Sequence, residues 1–466
     1  MGIKSKVNTS LSGRAVLYTV GQLSLNFLSV ISAPIFVRLM TTSEYGMAAV
    51  YFTWVSILSN IVGLRADSSI QNGWSEFGEK NLNSYVSSIC ALSCCFFFFI
   101  LTFVFAFGAP LARLLDMSYG VLLLCVVTSF FIACSNVRMA YCTVTCNATA
   151  NMLISLVLSV SQIAMSIVLL MFVINDGYLA RIAGYSIPTI LIGLAFLVWF
   201  YRNGKTIYDR SYWRFCLALS LPLILNGIAY LLINQCDRLM LNAIVGPDCA
   251  GIYSFAYSCA LPASVVCSAM NSAWTPEYFK LMKDGDFGTL AVRSSRYMNN
   301  MTLVSAAIML VSPEVLKLLG TSSYYEGIAM LPLIVMAYYF QYLYTWPVNC
   351  EFYYKQTSWM TVATIGATLV NVALNLVLIP RFTLIGASLA SLIAFIFLMV
   401  FHHVIARKKT EGYCWSLSWY MKRVLPMFAV FAITYVFIDL MVARWLLALS
   451  FGAVLLALMK KNKSLF

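Results

Sequence analysis

Apolar runs of near twenty residues recur from one end of this sequence to the other, separated by short polar stretches. Each is long enough to cross a ~30 Å hydrocarbon core as an α-helix. The pattern predicts fourteen spans, at roughly 14–38, 46–64, 86–107, 119–141, 151–174, 181–200, 214–235, 250–274, 297–319, 328–350, 359–379, 384–406, 424–439 and 444–459. No connection exceeds about 25 residues, which leaves no room for a domain outside the bilayer. In hydrocarbon the backbone must satisfy its own hydrogen bonds, and a helix does so within one segment. The expected fold is an all-α polytopic membrane protein.

Composition agrees with the pattern. Of 466 residues, 61% are hydrophobic and 10% charged, where soluble domains carry roughly 45–50% and ~25%. Lys and Arg set the orientation. With the N-terminus in the cytoplasm, 23 of the 30 basic residues fall on the cytoplasmic side. Both termini are therefore expected inside. The same bias accounts for the net charge of +13 without a nucleic-acid partner. The fourteen cysteines show no disulfide or metal spacing and read as small buried hydrophobes. The two histidines, His402 and His403, precede Arg407 at a helix end, so an interfacial place is expected and no metal site. The basic N-terminus lacks a small-residue cleavage site and reads as an uncleaved first span.

An internal repeat organises the spans. "VRLMTTSEYGMAAVYF" (37–52) aligns with "DRLMLNAIVGPDCAGIYSF" (237–255), "GWSEF" (73–77) with "AWTPEYF" (273–279), and "YLARIAGYS" (178–186) with "RFTLIGASL" (381–389). The offsets are 200, 200 and, with Gly184 set against Gly386, 202 residues. An even number of spans per repeat gives parallel lobes related by an axis along the membrane normal. The expected domains are a six-helix lobe at 1–206, a second at 207–409 and a helix pair at 410–466. In such transporters the substrate site lies at the repeat interface, in a central cavity.

Polar residues within the spans are the candidate lining. Gln22 and Asn26, four apart, share a face of span 1. Asn234 lies in span 7, and Gln341 and Asn349 lie in span 10 among many tyrosines. Interhelical hydrogen bonds and an interfacial aromatic belt would account for any one of them; as a set they point to a sugar-binding cavity. Arg65, Arg138 and Arg238 are fixed cations near span ends, and the guanidinium fork suits phosphate. Asp67 and Asp237 are candidate pairing or coupling groups, with Asp237 terminal to span 7 and paired to Arg238. The reading places no carboxylate near a span centre, Glu314 being nearest and Glu277 and Glu351 terminal. That favours an anionic substrate over cation-coupled efflux.

The order "DRLMLNAIVGPDCAGIYSFAY", "NSAWTPEYFK", "NLVLIPRFTLIGASLASLIAF" resembles the polysaccharide (O-antigen repeat-unit) flippases of the multidrug/oligosaccharidyl-lipid/polysaccharide exporter superfamily. The resemblance spans nearly the whole chain. It implies a non-enzymatic carrier, without cofactor, in the bacterial inner membrane. Its substrate would be an undecaprenyl-diphosphate-linked oligosaccharide, moved from the cytoplasmic to the periplasmic leaflet by alternating access. A polymerase and a chain-length regulator of the same pathway would be its companions. By that resemblance the diphosphate meets Arg residues and the sugars meet polar and aromatic side chains. The competing reading is a cation-coupled drug or metabolite efflux antiporter of the same fold.

The orientation has a direct check. A reporter fused after Gly412 should read cytoplasmic and one after Asp176 periplasmic; the reverse pattern rejects it.

Overall fold

The computed structural model describes residue 28 and residues 30–356, 358–409 and 415–462. Every regular element among them is helical. The helices are α1 (Val30–Leu39), α2 (Thr42–Val62), α3 (Ile70–Phe77), α4 (Leu82–Leu114), α5 (Tyr119–Val144), α6 (Ala148–Phe172) and α7 (Gly177–Gly204). They continue with α8 (Arg210–Ile244), α9 (Pro247–Asp284), α10 (Phe287–Leu319), α11 (Leu331–Tyr353), α12 (Ser358–Lys409), α13 (Leu417–Val436) and α14 (Met441–Asn462). Eleven of the described helical segments are long and apolar enough to cross a membrane.

The residues at the helix ends explain the boundaries. Ser118, Asn147, Asp176 and Asp286 each accept a hydrogen bond from the backbone N–H three residues on, satisfying a donor the first turn leaves free. At roughly 1.5 Å per residue, the 35 residues of α8 and the 38 of α9 run well past a ~30 Å core. Stretches that read as loops are therefore helical extensions. Lys280, Lys283, Arg293 and Arg296 lie on α9 and α10, which are joined only through Gly285 and Asp286.

Helix α12 is two spans. Its residues stay helical except at Thr383, which sits at φ 46°, ψ −117°. Asn371 Nδ2 donates to Ser391 Oγ at 3.4 Å. Twenty residues of straight helix would separate them by about 30 Å, so the chain reverses at Thr383. The reversal falls in the gap left between spans 11 and 12 in the sequence. Likewise α13 and α14 turn at 437–440, a few residues earlier than the hydropathy pattern placed it.

The chain forms two compact units, one built on Val50–Leu231 and the other on Ala33–Ala49 with Leu232–Phe466. In the first, α2, α5 and α7 share a hydroxyl cluster. Tyr51 Oη lies 3.1 Å from Thr128 Oγ1 and 2.8 Å from Ser186 Oγ. Helix α6 is its most exposed long apolar helix, with 11% of its most apolar window buried. In the second unit α11 is the hub, with 78% of that window buried, packed against α9, α10, α12 and α13. The start of α2 crosses α9 where Gly46 and Gly251 face each other. A Cβ on Gly251 would lie 2.0 Å from the Thr42 carbonyl oxygen, and one on Gly46 1.9 Å from that of Pro247. Only two glycines allow this approach, as small residues do between membrane helices generally.

Two arginines tie the second unit together through helix ends and a partly buried acid. Arg38 donates to the carbonyls of Leu319 at 3.1 Å and Leu318 at 3.3 Å, capping the negative end of α10. Arg444, 1% exposed, makes a bidentate pair with Glu314 of α10. It also donates to the carbonyls of Leu310, Phe437 and Ile438. Every donor of this buried charge has a partner, which is the condition for such a pair to be tolerated. Removing one member strands the other, at a cost of about 3–5 kcal/mol. Arg444→Met should therefore unfold in detergent at a clearly lower temperature than Arg444→Met/Glu314→Leu; equal melting of the two variants would contradict this role.

Candidate functional site

Asp237 is not at a helix end. Helix α8 continues to Ile244, so Asp237 lies inside it and is 1% exposed. Tyr253 Oη of α9 donates to Oδ2 at 2.6 Å. Ser391 Oγ also donates to Oδ2, and Asn375 Nδ2 donates to Oδ1 at 2.6 Å. Asn371 joins the cage, its Oδ1 accepting from Asn375 Nδ2 at 3.2 Å and from Cys236 Sγ at 2.9 Å. Asn375 Oδ1 is buried without a hydrogen-bond partner among the described residues. The carboxyl thus collects three direct donors from three helical segments, the two arms of the α12 hairpin and α9. That is how a polar group at this depth is made affordable.

The expected Asp237–Arg238 ion pair does not form. Successive helical residues diverge by about 100°, so when Asp237 faces the cage, Arg238 cannot. The Arg238 guanidinium lies 5.5 Å from the Tyr257 ring, and its Nε is buried with no hydrogen-bond partner among the described residues.

A second buried pair joins α11 to α12. His402 Nδ1 lies 2.9 Å from Oε1 and 3.1 Å from Oε2 of Glu351, at exposures of 2% and 0%. His402 and His403 are therefore buried inside the protein. The amides selected from the sequence meet nearby elements of the same unit. Gln341 Nε2 donates to Asn234 Oδ1 at 3.4 Å. Asn349 Nδ2 donates to Asn271 Oδ1 at 3.0 Å, and Thr275 Oγ1 donates to Asn349 Oδ1 at 3.4 Å. Trp274 stacks on Trp346 with ring centroids 4.7 Å apart. Its repeat mate, Trp74, is 43% exposed, so the repeat does not extend to this environment.

In the first unit, Arg65 follows α2 in a corner where Leu64 and Arg65 both adopt left-handed backbone, φ 51° and 47°. Its side chain lies over Gly227 of α8, where an added Cβ would come within 1.8 Å of Nη1 and 3.2 Å of Asn60 Oδ1. The missing side chain at 227 is the space the guanidinium occupies. Asp67 lies in the short turn Ala66–Ser69. Burial pushes its carboxyl above the usual carboxylate range, and the Arg65 charge opposes the shift. Arg138 of α5 lies over two rings, 3.8 Å from Trp199 and 5.2 Å from Tyr141, and its Nη1 is buried without a hydrogen-bond partner among the described residues. Gln22 and Asn26 lie outside the described residues.

Sequence reasoning missed Asn371, Asn375, Ser391 and the Glu351–His402 pair. One signal was available: Asn371 and Asn375 stand four apart in an apolar run, the spacing that singled out Gln22 and Asn26. No cluster of potential metal ligands is present among the described residues.

A helical chain of this kind, with polar cages and half-buried cations inside its apolar helices, is a polytopic membrane protein. Its fold is shared with a lipid II flippase, MurJ, in an inward closed conformation (TM-score 0.74, 12% identity, 94% of this chain and 98% of that one). It is also similar to a multidrug-resistance MATE transporter of the MOP superfamily, inward-facing (TM-score 0.62, 13% identity, 85% of this chain and 100% of that one). The polysaccharide biosynthesis protein family matches residues 13–282, and the chain belongs to that family. A protein of the Lsg locus of Haemophilus influenzae is 23% identical over 373 residues, covering 77% of this chain and 89% of its own.

The Asp237 cage makes a graded prediction. Asp237→Leu strands its donors, at about 1–3 kcal/mol each, whereas Asp237→Asn leaves hydroxyl partners able to turn and accept. Thermal unfolding in detergent should rank wild type above Asn above Leu; a Leu variant as stable as Asn would refute the cage.

Proposed function

We propose that this protein flips an undecaprenyl-diphosphate-linked oligosaccharide, an O-antigen or similar surface-polysaccharide repeat unit, from the cytoplasmic to the periplasmic leaflet. It does so in the bacterial inner membrane, by alternating access, with both chain termini cytoplasmic. The observation that carries this reading is the state of the arginines. Arg138 and Arg238 each keep a buried guanidinium nitrogen without a hydrogen-bond partner among the described residues, while aromatic faces hold the cation in place. A buried donor left unmade is costly, and a phosphate oxygen is the acceptor best matched to a guanidinium. Arg65, laid over Gly227, is the third phosphate candidate. The amides of Asn234, Gln341 and Asn349, together with Gln22 and Asn26, supply the kind of donor and acceptor pairs that sugar hydroxyls use. Family membership supports the same class of substrate.

Asp237 supports a second reading. The sequence argument against cation-coupled efflux rested on the lack of a carboxylate near a span centre, and Asp237 is a carboxylate buried inside α8 rather than at its end. In the flippase reading it is the coupling candidate; in the alternative it drives the export of a drug or metabolite. Asp67 is the other candidate for pairing or coupling.

Replacing Arg65, Arg138 or Arg238 by Ala removes charge-assisted bonds worth about 1.5–3 kcal/mol, or roughly ten- to hundredfold in binding. Each variant should insert in the membrane normally yet lower surface polysaccharide and leave lipid-linked units on the cytoplasmic leaflet, with Lys better tolerated than Ala. Wild-type polysaccharide from all three Ala variants would overturn the phosphate assignment.

A further inference from the structure

The first unit carries an apolar groove of about 430 Å³. Leu64 from the corner after α2, Phe96 and Phe99 of α4, and Leu217, Leu221 and Ile224 of α8 line it. Its lining includes no charged residue, and Phe99 and Leu221 are more than half exposed. The groove is therefore open at the surface of these apolar helices.

Helix α8 relates this groove to charge. Residues 217, 221 and 224 follow steps of four and three and so share one helix face. The same steps taken backward reach Arg214 and Arg210, both exposed. Their depth is marked by aromatic residues of the kind found at membrane interfaces. Trp213 Nε1 donates to the Ser88 carbonyl at 3.0 Å, and Tyr208 packs edge-on against Trp213 at 4.9 Å. The segment from 202 to 214 carries Arg202, Lys205, Arg210 and Arg214 against one acid, Asp209. That acid is engaged in capping the backbone N–H groups of Ser211 and Tyr212.

We infer that this groove is a binding site for an anionic phospholipid, which lays one acyl chain along Leu217, Leu221 and Ile224 and sets its phosphate on Arg210 and Arg214. The ligand is a lipid of the bilayer, distinct from the transported substrate. Dimensions separate the two. The lining runs about 10 Å along α8, within the ~15 Å of a single leaflet. That suits one fatty-acyl chain and is far too short for a long polyprenyl chain. The basic residues select the head. A juxtamembrane Lys or Arg favours an anionic lipid by about fivefold.

Native mass spectrometry of the full-length protein in nonionic detergent, titrated with dioleoyl phosphatidylglycerol or dioleoyl phosphatidylcholine, tests the site. With two arginines the wild type should bind phosphatidylglycerol roughly twenty-five-fold more tightly. Arg210→Gln/Arg214→Gln, at an exposed helix end, should reduce phosphatidylglycerol to the phosphatidylcholine level without weakening phosphatidylcholine. Leu221→Trp, which fills the groove, should weaken both. Equal affinity of the wild type for the two lipids, or no response to either variant, overturns the assignment. So does undecaprenyl phosphate displacing phosphatidylglycerol at lower concentration than phosphatidylglycerol itself, which would give the groove to a polyprenyl chain.

Discussion

A polar side chain buried in hydrocarbon must find its partners inside the protein, and the Asp237 carboxyl is where this constraint acts most strongly. Three helical segments supply its donors. Ser391 and Asn375 reach it only because α12 folds back at Thr383, and Tyr253 reaches it only because α9 crosses α8 nearby. The same constraint organises the rest of the second unit. Arg444 and Glu314 satisfy each other and the carbonyls around them, Glu351 and His402 close against each other, and Arg38 spends its donors on the end of α10. In water such bonds would compete with solvent and contribute little. Away from water they decide which helices adjoin.

Against this background the arginines of the proposed phosphate sites stand out by what they leave unmade. Arg444 fills its donors with oxygen acceptors; Arg138 and Arg238 rest on aromatic faces, which attract a cation without using its N–H groups. A structural arginine and a binding arginine look alike in sequence. They differ in whether the fold has already consumed their hydrogen bonds. By that criterion Arg38 and Arg444 belong to the architecture, while Arg138 and Arg238 each keep a buried nitrogen without a hydrogen-bond partner among the described residues.

The candidate site was legible in part. Arg65, Arg138 and Arg238 are visible because charge is rare in these spans, and Asn234, Gln341 and Asn349 because amides are. Their partners were not visible. Asp237 pairs across 138 residues with Asn375 and across 154 with Ser391, and no periodicity within one helix encodes a contact of that range. Adjacency in sequence even misled: Asp237 and Arg238 look like a pair, but neighbours on a helix point about 100° apart. The burial of the histidines was not visible for a related reason. Hydropathy registers how polar a residue is, not whether a glutamate on the facing helix stands ready to receive it.

What the sequence by itself determined is the class of solution. Runs of twenty apolar residues can only be membrane helices, because no other single segment satisfies its backbone without water, and the basic residues between them define an orientation to test. The break before residue 384 was likewise legible, as the gap between two apolar runs. Only the tertiary structure decided which polar groups answer one another, which buried nitrogens keep no partner among the described residues, and where the apolar groove beside α8 opens. Those depend on distances between segments far apart in sequence, and a carboxylate in hydrocarbon is stable or ruinous according to a few ångströms that only packing sets.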